Sequence, residues 1–223
     1  MQRLWDSGVM AFYKDPMFFR DSKLSSEEID NKLGLKIQHT EKLLVDDCKS
    51  INREFDSRTW IGLDGQVLNT PYSELFEIVQ ALAPYDISSA VDLGAGYGRL
   101  GVVLSAFFPR VTFEGHELIE QRVNEGNQLF RNLKLDNCCL HQSDIVNSFE
   151  LKDFDLYFIY DFSDTQDLKI ILKKLEEKFL ERNFFIIARG RAIRSLIQYH
   201  FPVFWAQENA FHQENWSLYK SLL

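Results

Sequence analysis

Val91-Asp92-Leu93-Gly94-Ala95-Gly96-Tyr97-Gly98-Arg99-Leu100 is the stretch on which the fold turns. An apolar run, Ala90–Leu93, enters three glycines at alternate positions and leaves as a helical pattern, Arg99–Phe108, stopped by Pro109. Glycine tolerates positive φ and carries no Cβ, so a ligand can approach the backbone. The helix start behind it has N–H groups without intrahelical partners. Strand, glycine turn and helix in this order predict the opening unit of an α/β sheet with a ligand above it.

The chain keeps alternating downstream. Val111–His116 reads as a strand, Ile119–Leu133 as a helix, Cys138–Leu140 as a strand, and Phe154–Tyr160 as a strand apolar on both faces. Thr165 is expected to cap a helix whose Leu168, Ile171, Leu172, Leu175 and Phe179 face inward. Phe184–Ala188 is a fifth strand and Ala192–His200 a short helix. Phe201–Trp205 and Trp216–Lys220 read as an antiparallel pair closing the sheet. The expected fold is α/β: a doubly wound, mostly parallel, seven-stranded Rossmann-like sheet.

Upstream the texture changes. Residues 1–65 read as a helical N-terminal extension, and 66–223 as the α/β domain. Ser25 and Glu28 offer a capping box. Ile29, Leu33, Ile37, Leu44, Cys48, Ile51 and Phe55 then form an amphipathic stripe that Gly34 divides. The stripe suits a packing helix or a substrate-facing lid. Thr70-Pro71 signals another helix start, with Leu75, Phe76, Val79 and Leu82 on its apolar face.

A length of 223 residues suggests one domain with an appendage at roughly 150 residues per domain. A hydrophobic share of 45% excludes wholesale disorder. The net charge of −8 disfavours broad binding to nucleic-acid phosphates or anionic lipid. Cys48, Cys138 and Cys139 make no disulfide framework and no zinc spacing, which points to a reducing compartment. The five histidines are scattered, and no metal is expected. Met1–Phe19 is interrupted by charge and is no secretory signal, and no run is long enough to span a membrane. The expected location is cytoplasmic.

Two ligands compete for the glycine loop. A dinucleotide fingerprint places its third glycine where this chain has Arg99, and Asp92 is an awkward neighbour for a pyrophosphate. A carboxylate there suits S-adenosylmethionine, which carries an amino group and a sulfonium. The loop resembles motif I of the class I, seven-stranded S-adenosylmethionine-dependent methyltransferases, over about residues 70–220. That resemblance implies a cofactor site of Asp92, Gly94, Ala95 and Gly96, with Tyr97 and Gly98 beside it. It further implies Glu117 for the ribose, in preference to mid-strand Glu114, with Leu118 following, and Asp144 with the Ile145 amide for the adenine.

The acceptor is less legible. The fourth strand ends Tyr160-Asp161-Phe162-Ser163, without the two prolines of enzymes that methylate base amines. Asp161 is a candidate for touching the cofactor, orienting an amine or acting as base, and equally a strand-end scaffold. A narrower likeness to seven-stranded protein-lysine methyltransferases implies roles for Thr70 at the cofactor, Tyr72 beside the sulfonium or acceptor amine, and Glu74. A protein lysine or other amine is the expected acceptor. RNA, a small molecule, and a catalytically silent binding protein stay open. Arg189, Arg191 and Arg194 form a basic knot that could grip an anion or simply pair with surface acids.

Overall fold

The computed structural model describes residues 22–50, 58–148, 150–179, 182–205 and 210–220. Helices α1 (Ser22–Leu33) and α2 (Ile37–Ser50) are parted at Gly34, as expected. Gly34 has φ +79°, and the amides of Gly34 and Leu35 turn back onto the carbonyls of Asn31 and Asp30. These paired bonds end a helix on a left-handed glycine. Ile29, Leu33, Ile37 and Leu44 of the stripe are buried, whereas Ile51 and Phe55, like Met1–Phe19, lie outside the described residues. Ser25 is not an N-cap, because α1 already runs from Ser22.

A single turn, α3 (Gly65–Leu68), leads to α4 (Tyr72–Leu82). Pro71 rather than Thr70 stands at the N-cap of α4, with no side-chain cap. The alternating part follows as β1 (Ser89–Leu93), α5 (Arg99–Phe107), β2 (Thr112–Glu117), α6 (Glu120–Leu133), β3 (Cys138–Gln142) and β4 (Leu156–Tyr160). It continues through α7 (Thr165–Phe179), β5 (Phe185–Arg189), α8 (Arg191–His200), α9 (Pro202–Trp205), β6 (Phe211–His212) and β7 (Trp216–Lys220).

The seven strands lie in the order β3-β2-β1-β4-β5-β7-β6. All pairs are parallel except β5 with β7 and β7 with β6. Side chains alternate between two cores as the pleat requires: Leu156 and Phe158 enter one, Tyr157 and Ile159 the other. The first core also takes Ile29 and Leu33 of α1 together with Tyr72, Phe76, Leu104 and Phe130. The second takes Leu168 and Leu172 of α7 and Ile193 of α8.

Two further expectations fail locally. Phe201–Trp205 is not a strand: Pro202 opens the short helix α9, and the outer antiparallel neighbour of β7 is Phe211–His212. Proline has no amide for a ladder but suits a first helical turn. Thr165 does not cap α7 either. Asp164 Oδ1 accepts from the amides of Gln166 and Asp167 at 2.8 and 3.0 Å, a stronger cap than a threonine one residue later.

Candidate active site at the carboxyl ends of the strands

Strand order reverses between β1 and β4, and a crevice opens beyond the strand ends at such a point. Here it is a cavity of about 390 Å³, within the range of small-molecule sites. Gly94, Gly96, Glu117, Leu118, Asp144, Ile145 and Asp161 line it, as the sequence led us to expect. Asp92, Ala95 and Thr70 line a smaller hollow that shares Gly94 with it.

The glycine loop is left-handed at all three glycines, with φ of +90°, +54° and +78° at Gly94, Gly96 and Gly98. At Gly94 close approach adds to conformation: a Cβ there would sit 2.5 Å from that of Phe162. The loop is tied to β2. The amides of Gly94 and Ala95 both reach the His116 carbonyl at 2.9 Å, and the Gly96 amide donates to Glu117 Oε2 at 3.0 Å.

Glu117 is buried, and its Oε1 accepts from the Ile119 amide at 3.0 Å. Arg122 Nη1 lies 3.6 Å from the same oxygen. A carboxylate has about four lone-pair sites, so Glu117 keeps capacity for two hydroxyl donors. Asp144 is more fully used. Its Oδ1 accepts from the amides of Val146 and Asn147, its Oδ2 from Asn147 Nδ2 and from Arg58. Desolvation works to raise the Asp144 pKa, but the bonds from Asn147 and Arg58 outweigh it and hold the carboxyl below its usual range.

Asp92 is 5% exposed, and its Oδ1 has no hydrogen-bond partner among the described residues. Burial, and then the nearby Glu117 charge, push its pKa well above the carboxylate range. A buried polar atom without a donor is costly to the fold.

Asp161 is held differently. Its oxygens accept from the amides of Ala192 and Ile193 at 2.9 and 2.8 Å, the first turn of α8. Any side chain at Gly190 would collide with it. The strand-end scaffold is the role its bonds describe.

Tyr72 drops out of the site. It is wholly buried and its hydroxyl donates to Asp30 Oδ1 at 3.1 Å, with the Arg99 guanidinium 5.0 Å from its ring centre. It does not line the cavity, because α4 turns it inward into the core shared with α1. Glu74 is likewise remote, bonded to Arg189 at 2.6 Å and to Asn215 at 2.8 Å. Glu114 pairs with Lys152 on the surface at 2.9 Å. The basic knot divides: Arg189 lies 4.1 Å over Tyr160, Arg194 binds Ser217 and two carbonyls, and exposed Arg191 lines the cavity.

Sequence reasoning missed one whole wall. Arg58, Trp60, Leu63, Val67, Leu68 and Asn69 close the cavity from the segment before α4. Trp60 has φ +52° and its Nε1 donates to the Phe162 carbonyl at 2.9 Å. The available signal was a tryptophan among polar residues and glycines, in a stretch too aperiodic for helix or strand. Tyr160 and Phe162, at the end of β4, were quoted only as neighbours of Asp161. Among the described residues no His, Cys, Asp and Glu group could hold a metal, and no helix is long and apolar enough to cross a membrane.

No protein-family model and no curated protein sequence matches the chain. Solved structures do. An RNA methyltransferase from Salinibacter ruber in complex with S-adenosyl-L-homocysteine is 16% identical, with a TM-score of 0.53, over 68% of this chain and 91% of that one. The mitomycin 7-O-methyltransferase MmcR is 16% identical, with a TM-score of 0.53, over 94% of this chain and 69% of its own. At such identity the likeness is one of fold, and the fold is that of the class I methyltransferases.

Proposed function

We propose that this chain transfers a methyl group from S-adenosylmethionine to an acceptor bound over β4 and β5. One observation carries the reading: three neighbouring strands each deliver a carboxylate to the same end of the sheet, around a left-handed glycine loop. The residues fit the cofactor's donors. Asp92 offers a buried oxygen with no donor of its own, suited to the amino group. Glu117 offers spare lone pairs to the ribose hydroxyls, and Asp144 with the Ile145 amide suits the adenine edge. The fold neighbours support this, one of them having been crystallised with S-adenosyl-L-homocysteine.

When bound, the cofactor supplies a methyl carbon on positively charged sulfur. The protein's part is alignment and exclusion of water, and proximity of this kind accounts for much of the acceleration. Asp161 fixes the start of α8, and so the far side of the cavity. Trp60, tied to the Phe162 carbonyl, roofs it. The narrower likeness gave Tyr72 a place beside the sulfonium or acceptor amine, but the tyrosine is buried and bonded to Asp30 instead.

Calorimetry with S-adenosylmethionine tests the proposal. Asp92→Ala and Glu117→Ala are expected to lose most of the affinity, and NADH is expected not to bind. Wild-type affinity in both variants would overturn the cofactor assignment. Labelled cofactor in a cell lysate separates an active enzyme from a silent one.

A further inference from the structure

We infer that the acceptor is a small aromatic molecule whose nucleophile is an oxygen already ionised at neutral pH, a carboxylic acid or an electron-poor phenol, with its charge met by Arg191. The inference rests on the methyl-transfer reading above.

Glu117 and Asp144 stand at the tips of β2 and β3, so the cofactor half of the cavity lies to that side of the switch point. The other half lies over β4 and β5. Its walls are Trp60, Leu63, Val67, Tyr160 and Phe162, three aromatic rings and two aliphatic side chains. That lining favours a flat apolar body.

The polar groups in this half are almost all committed. Trp60 Nε1 donates to the Phe162 carbonyl, the Tyr160 hydroxyl to the Val67 carbonyl at 3.3 Å, and Ser163 Oγ to Asp167. Both Asp161 oxygens hold amides of α8. Of the three cavity-lining arginines, Arg58 pairs with Asp144 and Arg122 with Glu41. Arg191 makes no hydrogen bond or ion pair to the described residues and is exposed at the rim. Among the described residues, no histidine or lysine lines the cavity.

These facts decide between acceptor classes. An alkyl amine arrives protonated and must shed a proton, yet the one carboxylate on this side already anchors a helix end. A carboxylic acid, or a phenol acidified by an electron-withdrawing ring substituent, arrives as the anion, its proton left to solvent, and needs no base, whereas an ordinary phenol, with a pKa of about 10, arrives protonated like the amine. The anion's electron pair forms the O–CH3 bond as the C–S bond breaks, and the C–S pair stays on sulfur. An anion and a sulfonium thus give a neutral ether or ester and a neutral thioether. A guanidinium at the rim holds such an anion by charge-assisted hydrogen bonds. A nucleic acid would require a row of cations, and among the described cavity-lining residues a single uncommitted arginine does not supply one.

The test uses the full chain, methyl-labelled S-adenosylmethionine, and 4-nitrophenol and benzoate as acceptors. Benzylamine, a lysine-containing peptide and transfer RNA serve as the competing classes. Label is expected in an oxygen acid. Arg191→Gln is expected to raise its KM about tenfold, the worth of one charge-assisted hydrogen bond, with partial recovery in Arg191→Lys and unchanged affinity for S-adenosylhomocysteine. Label in benzylamine, peptide or RNA overturns the inference, as does an unmoved KM in Arg191→Gln. Cofactor binding without transfer to either oxygen acid overturns it too, and leaves the methyltransferase reading standing. Absence of cofactor binding by the wild type removes that reading instead.

Discussion

Arg58 Nη1 lies 3.1 Å from Asp144 Oδ2, a contact between the segment before α4 and the tip of β3. The arginine occupies the carboxylate that the proposed cofactor site assigns to the adenine amine. Both side chains are partly exposed, at 34% and 26%, and a pair of this kind is worth little to stability. Cofactor binding therefore competes with a weak internal partner. Arg58→Gln is expected to leave the melting temperature nearly unchanged and to tighten S-adenosylhomocysteine binding about two- to fivefold by calorimetry. Asp144→Asn is expected to weaken it. Weaker binding in Arg58→Gln would mean that the guanidinium supports the ligand.

Asp92 sets a pH dependence of the opposite kind to an ordinary surface acid. Its folded pKa is raised, by burial and then by Glu117, above the ordinary 3.8. Its contribution to stability is complete below that ordinary value and is lost as pH rises through the folded one. Asp92→Asn removes an ionisable group whose charged form burial disfavours. The variant is expected to melt a few degrees above the wild type at neutral pH, at about 2–4 °C per kcal/mol for a chain of this size. The difference should shrink toward pH 4 while cofactor affinity falls. His116 acts from the other side, since burial, then His141, lowers its pKa to about 4. Its stabilisation is present above its ordinary 6.5 and fades as pH falls toward 4, so between those values the two slopes oppose each other and the wild-type profile should be flatter than that of Asp92→Asn.

What could be read from the chain follows from what each signal depends on. The strands were legible because burial on both faces demands apolar runs such as Leu156–Ile159, and the glycine loop because left-handed φ leaves few other residues. Glu117 and Asp144 followed from the alternation, since strand ends place them. Tyr72 misled because a helix start tells nothing of which face turns inward, and that face is set by Asp30, forty-two residues away in sequence. The wall at Arg58–Asn69 was illegible for a related reason: it is held by contacts to distant carbonyls and acids, which leave no periodicity.

The extension is built into the same core, and its charges show how tightly. Asp30 of α1 pairs with Arg99, the first residue of α5, while Arg99 also binds Gln66 Oε1 at 2.8 Å and the Thr70 carbonyl at 3.3 Å. Glu41 of α2 takes Arg122 at 2.8 and 3.1 Å and the Tyr97 hydroxyl at 2.7 Å. All four members of the two ion pairs are buried. Removing one member strands the other, at a cost of about 3–5 kcal/mol. Asp30→Ala and Glu41→Ala are each expected to lower the melting temperature by roughly 6–20 °C at that cost. Glu41→Ala should also weaken cofactor binding, since Tyr97 and Arg122 flank Glu117. A fragment of residues 66–223 is expected to lack a cooperative melt; a fragment with wild-type melting and affinity would show that the division near residue 65 is a true domain boundary.

Trp60 stands apart from these buried pairs. It is 39% exposed, and it keeps a left-handed backbone that costs a non-glycine residue about 1–2 kcal/mol. Its indole bond to the Phe162 carbonyl holds the ring over the cavity despite that strain. Trp60→Phe keeps an aromatic ring but loses the bond, while Trp60→Gly relieves the strain and opens the roof. Neither is expected to destabilise the fold, and Trp60→Gly should melt at or above the wild-type temperature. Titration with benzoate in the presence of S-adenosylhomocysteine is expected to change tryptophan emission in the wild type, and the change should vanish in Trp60→Phe. A full emission change in that variant would place the ligand away from Trp60 and remove the roof from the proposed site.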